Sequence, residues 1–420
     1  MKKLLLLSLL IYGLVFAGLA TLNGGLLALT IPLIIYLGAG LFYRPEELRL
    51  KVTRELSAER VSPGEPVTIK LTIANEGARL DEVLVEDLIP DSLNLVDGQT
   101  RLLTPLPAGA TVELAYTVSG ERGAYHLPGV RVTASDDFGL FKKQAGLTAG
   151  GQFLIFPEVV RLRRVEIRPR QTRVYSGPIP TRQGGPGVEF FGVREYQPGD
   201  PLRWINSRAS ARHPQTLFIN EFEQERVADV GLILDARQQS DVHSREGSLF
   251  EYTIQATAAL ADVFINAGNR VGLFIYGRSL DWTFPGYGKM QRERILRALA
   301  NAELGSGQVF EKLEHLPARL FPARSQLVLI SPLLSQDVEE LTKLRANGYQ
   351  LLVVSPDPIT FEQKGLSQER EVVLAARLAR LERALLLDKL RQAGIRVMEW
   401  QVDTPFQQAA HTALSRYQRS

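Results

Sequence analysis

Cysteine is absent from all 420 residues. That excludes disulfides, thiol nucleophiles and cysteine-ligated metals, and it fits a reducing compartment without proving one. Histidine is scarce. His126, His213, His243, His315 and His411 are scattered, and no two stand at the helical spacing of metal ligands. His213, beside Arg212, reads as a turn residue rather than a general base. No helix opens on GxGxxG or GxxxxGK[ST], and no Gly-x-Ser-x-Gly elbow occurs, so nucleotide binding and serine hydrolysis have no motif behind them. No asparagine carries Ser or Thr two places on, so a glycosylation signal is missing. Excess charge is missing too: the net is only +3, which predicts neither nucleic-acid binding nor steering of an acidic substrate.

One absence is local. Residues 4 to 43 contain no Asp, Glu, Lys, Arg or His. A bilayer crossing needs about 20 apolar residues, so this run has room for two spans, at 4–20 and 26–43, around the polar break 21–25. Lys2, Lys3 and Arg44 put positive charge at both outer ends, which the positive-inside rule reads as a hairpin with both ends cytoplasmic. The expectation for residues 1–45 is therefore a transmembrane helical hairpin. It would make a multi-pass inner-membrane protein whose soluble domains face the cytoplasm. A cleaved signal peptide ending near Gly18-Leu19-Ala20 is the competing reading.

Beyond residue 45 the chain is rich in pattern. With 45% hydrophobic and 23% charged residues it reads as globular. Over 46–160, the stretches 48–56, 67–77, 80–89, 110–120 and 130–136 alternate apolar and polar residues between turn signals. Short strands at this spacing predict an antiparallel, immunoglobulin-like β-sandwich. Over 227–420, continuous apolar runs at 227–236, 269–277, 325–333, 349–357 and 394–402 alternate with helical stretches at 248–268, 289–302, 337–348, 368–394 and 404–418. That alternation predicts a doubly wound α/β domain with a mainly parallel sheet. In the helix at 368–394, Leu374, Leu378, Leu381 and Leu385 form an apolar stripe, expected to pack into the core rather than to meet a partner.

Between these lies an arginine-rich junction, 161–226. Residues 161–212 hold eleven arginines against Glu166, Glu189, Glu195 and Asp200, a net +7 without one lysine. Arginine alone points to bidentate contacts with fixed carboxylates, so the expected role is tying domains together; contact with anionic lipid is the alternative. Gln197-Pro198-Gly199-Asp200 has the chemistry of a turn. Arg194, Arg203 and Arg212 have Glu189, Glu195, Asp200 and Glu221 as candidate partners, and paired carboxylates make poor proton donors.

Here the residues resemble a known family. FFGVREYQPGDPLRWINSRASAR, with Arg194, Glu195, Tyr196, Pro198, Gly199, Asp200, Arg203, Trp204, Ile205, Ala211 and Arg212, is similar to the signature of the bacterial domain-of-unknown-function 58 family. It departs at Asn206 and Ser207, where that pattern has an aspartate-tryptophan pair. The upstream ERGAYHLPGVRVTASDDFGLF (121–141), with Phe138-Gly139-Leu140-Phe141, is similar as well. The resemblance spans roughly 120–402. It implies paired amino-terminal spans, a carboxy-terminal domain similar to von Willebrand factor type A, and a MoxR-type AAA+ ATPase as partner. It implies no catalytic activity.

Type A domains often bind Mg²⁺ through an aspartate and two serines two and four places on, with a further aspartate from another loop. Here Asp235 is followed by Arg237 and Gln239, and Ser331 stands where the second aspartate would be expected. The site is degenerate, so no metal and no cofactor is expected. Arg237 is expected to fill the cation position and pair with Asp235. The reading is a membrane-anchored, non-enzymatic scaffold or adaptor. The rival is an envelope-facing binding protein recognising lipid or cell-wall material.

Overall fold

The computed structural model describes residues 2–42, 48–135, 142–162, 179–213, 215–226, 228–277, 280–305, 313, 316–317, 320–322, 325–366 and 369–415. Phe138-Gly139-Leu140-Phe141, Arg163, Arg164, Glu166, Arg168, Arg170 and Arg173 lie outside these residues. The chain divides into two compact units, Met1–Phe156 and Pro157–Ser420.

The first unit opens with three helices, α1 (Lys2–Ala20), α2 (Gly24–Ala28) and α3 (Thr30–Phe42). These correct the expected hairpin: among the described residues, no helix is long and apolar enough to cross a membrane. The second apolar run does not form one helix. Gly24 and Gly25 are weak helix formers, and Pro32 cannot donate to the carbonyl four residues back. The run breaks at Leu29, where Thr30 Oγ1 donates to the Leu27 carbonyl at 2.6 Å. Thirteen residues remain in α3, about 20 Å at ~1.5 Å per residue, against a hydrocarbon layer of about 30 Å. The uncharged part of α1, 4–20, also falls short of the ~18 residues that mark a span. The multi-pass inner-membrane placement and its cytoplasmic orientation fall with the hairpin.

The rest of this unit is β: β1 (Leu50–Leu56), β2 (Arg60–Val61), β3 (Val67–Asn75), β4 (Leu80–Leu88), β5 (Leu93–Gly98), β6 (Arg101–Leu106), β7 (Thr111–Gly120), β8 (Gly123–Leu127), β9 (Gly129–Ser135), β10 (Lys142–Leu147) and β11 (Gly151–Ile155). They form four-stranded sheets β1-β3-β7-β5 and β10-β9-β4-β6 and a small sheet β2-β11-β8. Alternation explains the packing. Val67, Ile69, Leu71 and Ile73 of β3 point into one core with Val83 and Val85 of β4 and Val130 and Val132 of β9. One charged cluster is buried beside it. The Arg54 guanidinium donates to the Leu127 carbonyl at 3.0 Å and to Asp87, which also accepts from the Tyr116 hydroxyl. Burial raises the Asp87 carboxyl, although Tyr116 and Arg54 pull it down.

The second unit contains β12 (Ile179–Glu195), α4 (Ser207–Ser210), β13 (Phe218–Arg226), β14 (Asp229–Asp235), β15 (His243–Ser244), β16 (Gly247–Ser248), α5 (Leu249–Asn266), β17 (Arg270–Tyr276), β18 (Leu280–Gly286), α6 (Gly288–Ala300), β19 (Gln326–Ile330), α7 (Asp337–Ala346), β20 (Gln350–Pro356), α8 (Pro358–Gln363), α9 (Arg370–Gln392), β21 (Arg396–Trp400) and α10 (Phe406–Ser415). Six strands make one sheet, β18-β17-β14-β19-β20-β21. All neighbours run parallel except the edge strand β18, antiparallel to β17. Ile233, Leu329, Val353 and Val397 share a core with Leu341 of α7 and with Leu387 and Leu390 of α9. Alternation turns Leu232, Leu234 and Val328 to the other face, where α5 packs. The long hairpin β12–β13 forms a sheet of its own.

Candidate functional site: a guanidinium at the carboxyl edge of the sheet

Strand β14 ends at Asp235, and Arg237 follows in an extended conformation that returns its side chain over the strand end. Both are buried, at 2% and 1% exposure. Arg237 Nε donates to Asp235 Oδ1 at 2.8 Å and Nη2 to Oδ2 at 2.8 Å. Its other edge meets a second carboxylate: Nη1 donates to Asp337 Oδ1 at 2.9 Å and Nη2 to Oδ2 at 2.8 Å. One planar cation thus bridges two carboxylates in fork-to-fork geometry. Burial works against the charge, but the hydrogen bonds to Asp235 and Asp337 outweigh it and raise the Arg237 pKa above its ordinary value. Burial also pushes the neighbouring Tyr276 phenol up to about 12.

The cluster pins the loop after β19. Ser331 Oγ donates to Asp235 Oδ2 at 2.6 Å and accepts from the Leu333 amide at 3.0 Å, while the Leu334 amide donates to Asp337 Oδ2 at 2.8 Å. Between these anchors Leu333 adopts φ +69°, a left-handed conformation that a leucine keeps only where its surroundings enforce it. A second arginine closes the adjoining strand ends. Arg383 of α9 donates through Nη1 to the Pro332 carbonyl at 2.8 Å, and through Nη2 to Ser355 Oγ and the Pro356 carbonyl, both at 2.9 Å. Burial lowers its pKa, and Asp357 and Glu399 only partly offset this.

Of the residues singled out by sequence, Asp235, Arg237 and Ser331 come together here. Gln239 does not; it is exposed in the short 3₁₀ turn Gln238–Ser240. Asp337 carried no such signal. In SQDVEEL it resembles any acid in the first turn of a helix, and nothing in the sequence marks it as facing a residue 100 positions away. Arg383 was equally hidden, as one of several arginines on a helix.

The signature forms a separate centre within the hairpin. Arg194 near the end of β12 donates through Nη1 and Nη2 to Asp200 Oδ2 and Oδ1 at 2.8 and 2.7 Å, and its Nε lies 3.5 Å from Glu221 of β13. Asp200 also accepts from the Gln197 amide at 2.8 Å, closing the turn in which Gly199 takes φ +107°. The Arg194 hydrogen bonds, then that of Gln197, hold the Asp200 carboxyl below the usual carboxylate range. Asn206 caps α4 by accepting from the Ala209 amide at 2.9 Å, and it donates to Asn220 Oδ1 at 2.7 Å. Trp204 meets Phe222 edge-on at 5.4 Å, and the Arg203 guanidinium lies 5.8 Å from the Trp204 ring centre. The Tyr196 amide donates to the Leu217 carbonyl at 2.8 Å. Glu195, Pro198 and Arg212 are exposed. Asp200 and Glu221, the carboxylates that meet Arg194, both lie inside the hairpin region, which this pairing braces.

A family model described as Protein of unknown function DUF58 matches residues 192–365. The chain resembles the DUF58 family. The DUF58 match takes in the signature, Asp235, Arg237, Ser331 and Asp337; Arg383 and α9 lie beyond it. The Bacillus subtilis (strain 168) protein YeaD is 26% identical over 279 residues, which cover 65% of this chain and 67% of that one. Among solved structures, the CARDB domain of the PF1109 protein from Pyrococcus furiosus is 14% identical with a TM-score of 0.20, over 27% of this chain and 91% of that one. The cupredoxin domain of amoB from Nitrosocaldus yellowstonii is 10% identical with a TM-score of 0.20, over 30% and 98%. Similarities this weak carry no argument.

Proposed function

We propose that this chain is a non-enzymatic scaffold whose α/β unit binds a protein partner without a bridging metal. On the family resemblance, we further propose that the partner is a MoxR-type AAA+ ATPase. One observation supports the first part: the Arg237 guanidinium between Asp235 and Asp337. Doubly wound sheets bind ligands at the carboxyl ends of their strands, and in a type A-like unit a metal there would link the domain to its partner. In this chain a tethered cation takes that position. It cannot exchange, and it leaves neither carboxylate free to complete its coordination through a partner's oxygen. Within the signature, Arg194, Asp200 and Glu221 are likewise engaged with one another, and paired carboxylates make poor proton donors.

Two measurements test this. Titrating Mg²⁺ into the chain alone by calorimetry is expected to give no binding isotherm. The immobilised chain is expected to retain a purified MoxR-type ATPase and to show no turnover of its own. Micromolar Mg²⁺ binding would overturn the metal-free reading, and failure to retain the ATPase would overturn the choice of partner.

A further inference from the structure

Helix α9 has two apolar faces. Ala376, Leu387 and Leu390 are buried toward the sheet. Leu374, Leu378, Leu381 and Leu385, expected from the sequence to pack into the core, are instead 53%, 59%, 65% and 65% exposed. Ala375 and Ala384 beside them are exposed as well. A helix that is apolar on opposite sides is suited to burial on both.

The spacing of the outer stripe is 4, 3, 4, the d-a-d-a alternation of a two-stranded seam. Setting Leu378 and Leu385 at a and Leu374 and Leu381 at d puts Arg377 at g and Glu382 at e. Both are exposed. In a parallel pair, a g residue faces the e residue five positions on in the other helix. Arg377 of each copy would then face Glu382 of the other, two opposite-charge pairs related by the two-fold axis. An antiparallel pair lacks this match: it sets Arg377 against Ala384, Glu382 against Ala375, and Arg370 against Arg391. Glu371 and Asp388 occupy the next a and d positions, so the seam is limited to four leucine layers.

We propose that the outer face of α9 is an interface with a second copy of this chain, made by parallel pairing of the two helices about a two-fold axis. The surface is self-complementary, as a two-fold interface requires. Four layers make a small contact, so self-association is weak and concentration-dependent.

The absence of cysteine makes the test direct. Full-length Leu381→Cys is expected to form an intermolecular disulfide under mild oxidation, because a parallel two-fold places each d position opposite itself. Sedimentation of the full chain is expected to show a monomer–dimer equilibrium. Arg377→Glu should weaken it about tenfold, and the double change Arg377→Glu, Glu382→Arg should restore it. That rescue separates pairing through α9 from association through the apolar amino terminus. These positions are exposed, and unchanged melting temperatures would show that the variants fold. A chain that stays monomeric at all concentrations would overturn the proposal. So would cross-linking only between a Leu378→Cys copy and a Leu381→Cys copy, the antiparallel result. A monomer in which Leu381→Glu abolishes retention of the ATPase would assign the face to that partner and equally overturn self-pairing.

Discussion

Arg237 carries one positive charge between two buried carboxylates, and that arrangement sets the cost of removing it. Arg237→Met leaves Asp235 and Asp337 facing each other without a cation in a site that excludes water. Such a loss costs about 3–5 kcal/mol, visible as a lower urea midpoint with an unchanged slope. Changing the carboxylates with it (Arg237→Met, Asp235→Asn, Asp337→Asn) should recover part of that loss, because no unpaired charge remains. Asp200 is a different case, since it lies near the surface. Its carboxyl is held below its ordinary value of 3.8, so its pairing with Arg194 stabilises fully above that value and is lost as pH falls through and below it. The stability difference between the native chain and Arg194→Gln should therefore narrow as pH falls from about 5 to about 3. A difference that persisted unchanged would separate Arg194 from Asp200. Arg237 and Ser331 were legible in the sequence as residues just past the ends of β14 and β19, because the apolar runs mark where those strands stop. Asp337 was not, because its role depends on which loop the fold brings opposite.

At the scale of elements, close approach and capping decide the cost of small changes. A Cβ on Gly231 in β14 would lie 2.4 Å from a ring carbon of Phe321. Gly231→Ala must displace that ring, which shares its core with Ile233 and Leu329. A loss of about 1–3 kcal/mol is expected, measured by denaturant unfolding. Asn206→Ala removes the cap of α4 and the bond to Asn220, and should cost about 1 kcal/mol at the hairpin. The strands of the parallel sheet were legible as continuous apolar runs because both faces are covered. Edge strand β18, which buries none of its residues, and strand β5, which buries only Leu93, were not, since an exposed strand need not carry an apolar face. The stripe of α9 is apolar, as its spacing says, but it is not core. Periodicity gives the face of a helix but not what lies against it.

At the scale of the whole molecule, each unit has its own core, one drawn from the sandwich strands and one from the sheet with α7 and α9. A fragment comprising residues 157–420 is therefore expected to keep a cooperative thermal transition, and scanning calorimetry would detect it. Loss of cooperativity in that fragment would mean that its core is completed by residues 1–156.

Local chemistry settled several features from the sequence alone. These are the alternation of strands, the α/β grammar after residue 227, the turn at Pro198-Gly199, and the pairing of Arg237 with Asp235. Each depends on neighbours within a few positions. Tertiary structure decided what depends on distant groups. It brought Asp337 and Arg383 to the carboxyl edge of the sheet and left one face of α9 bare. A side chain's partner is set by the packing of elements, and one chain's pattern states only that a partner is needed.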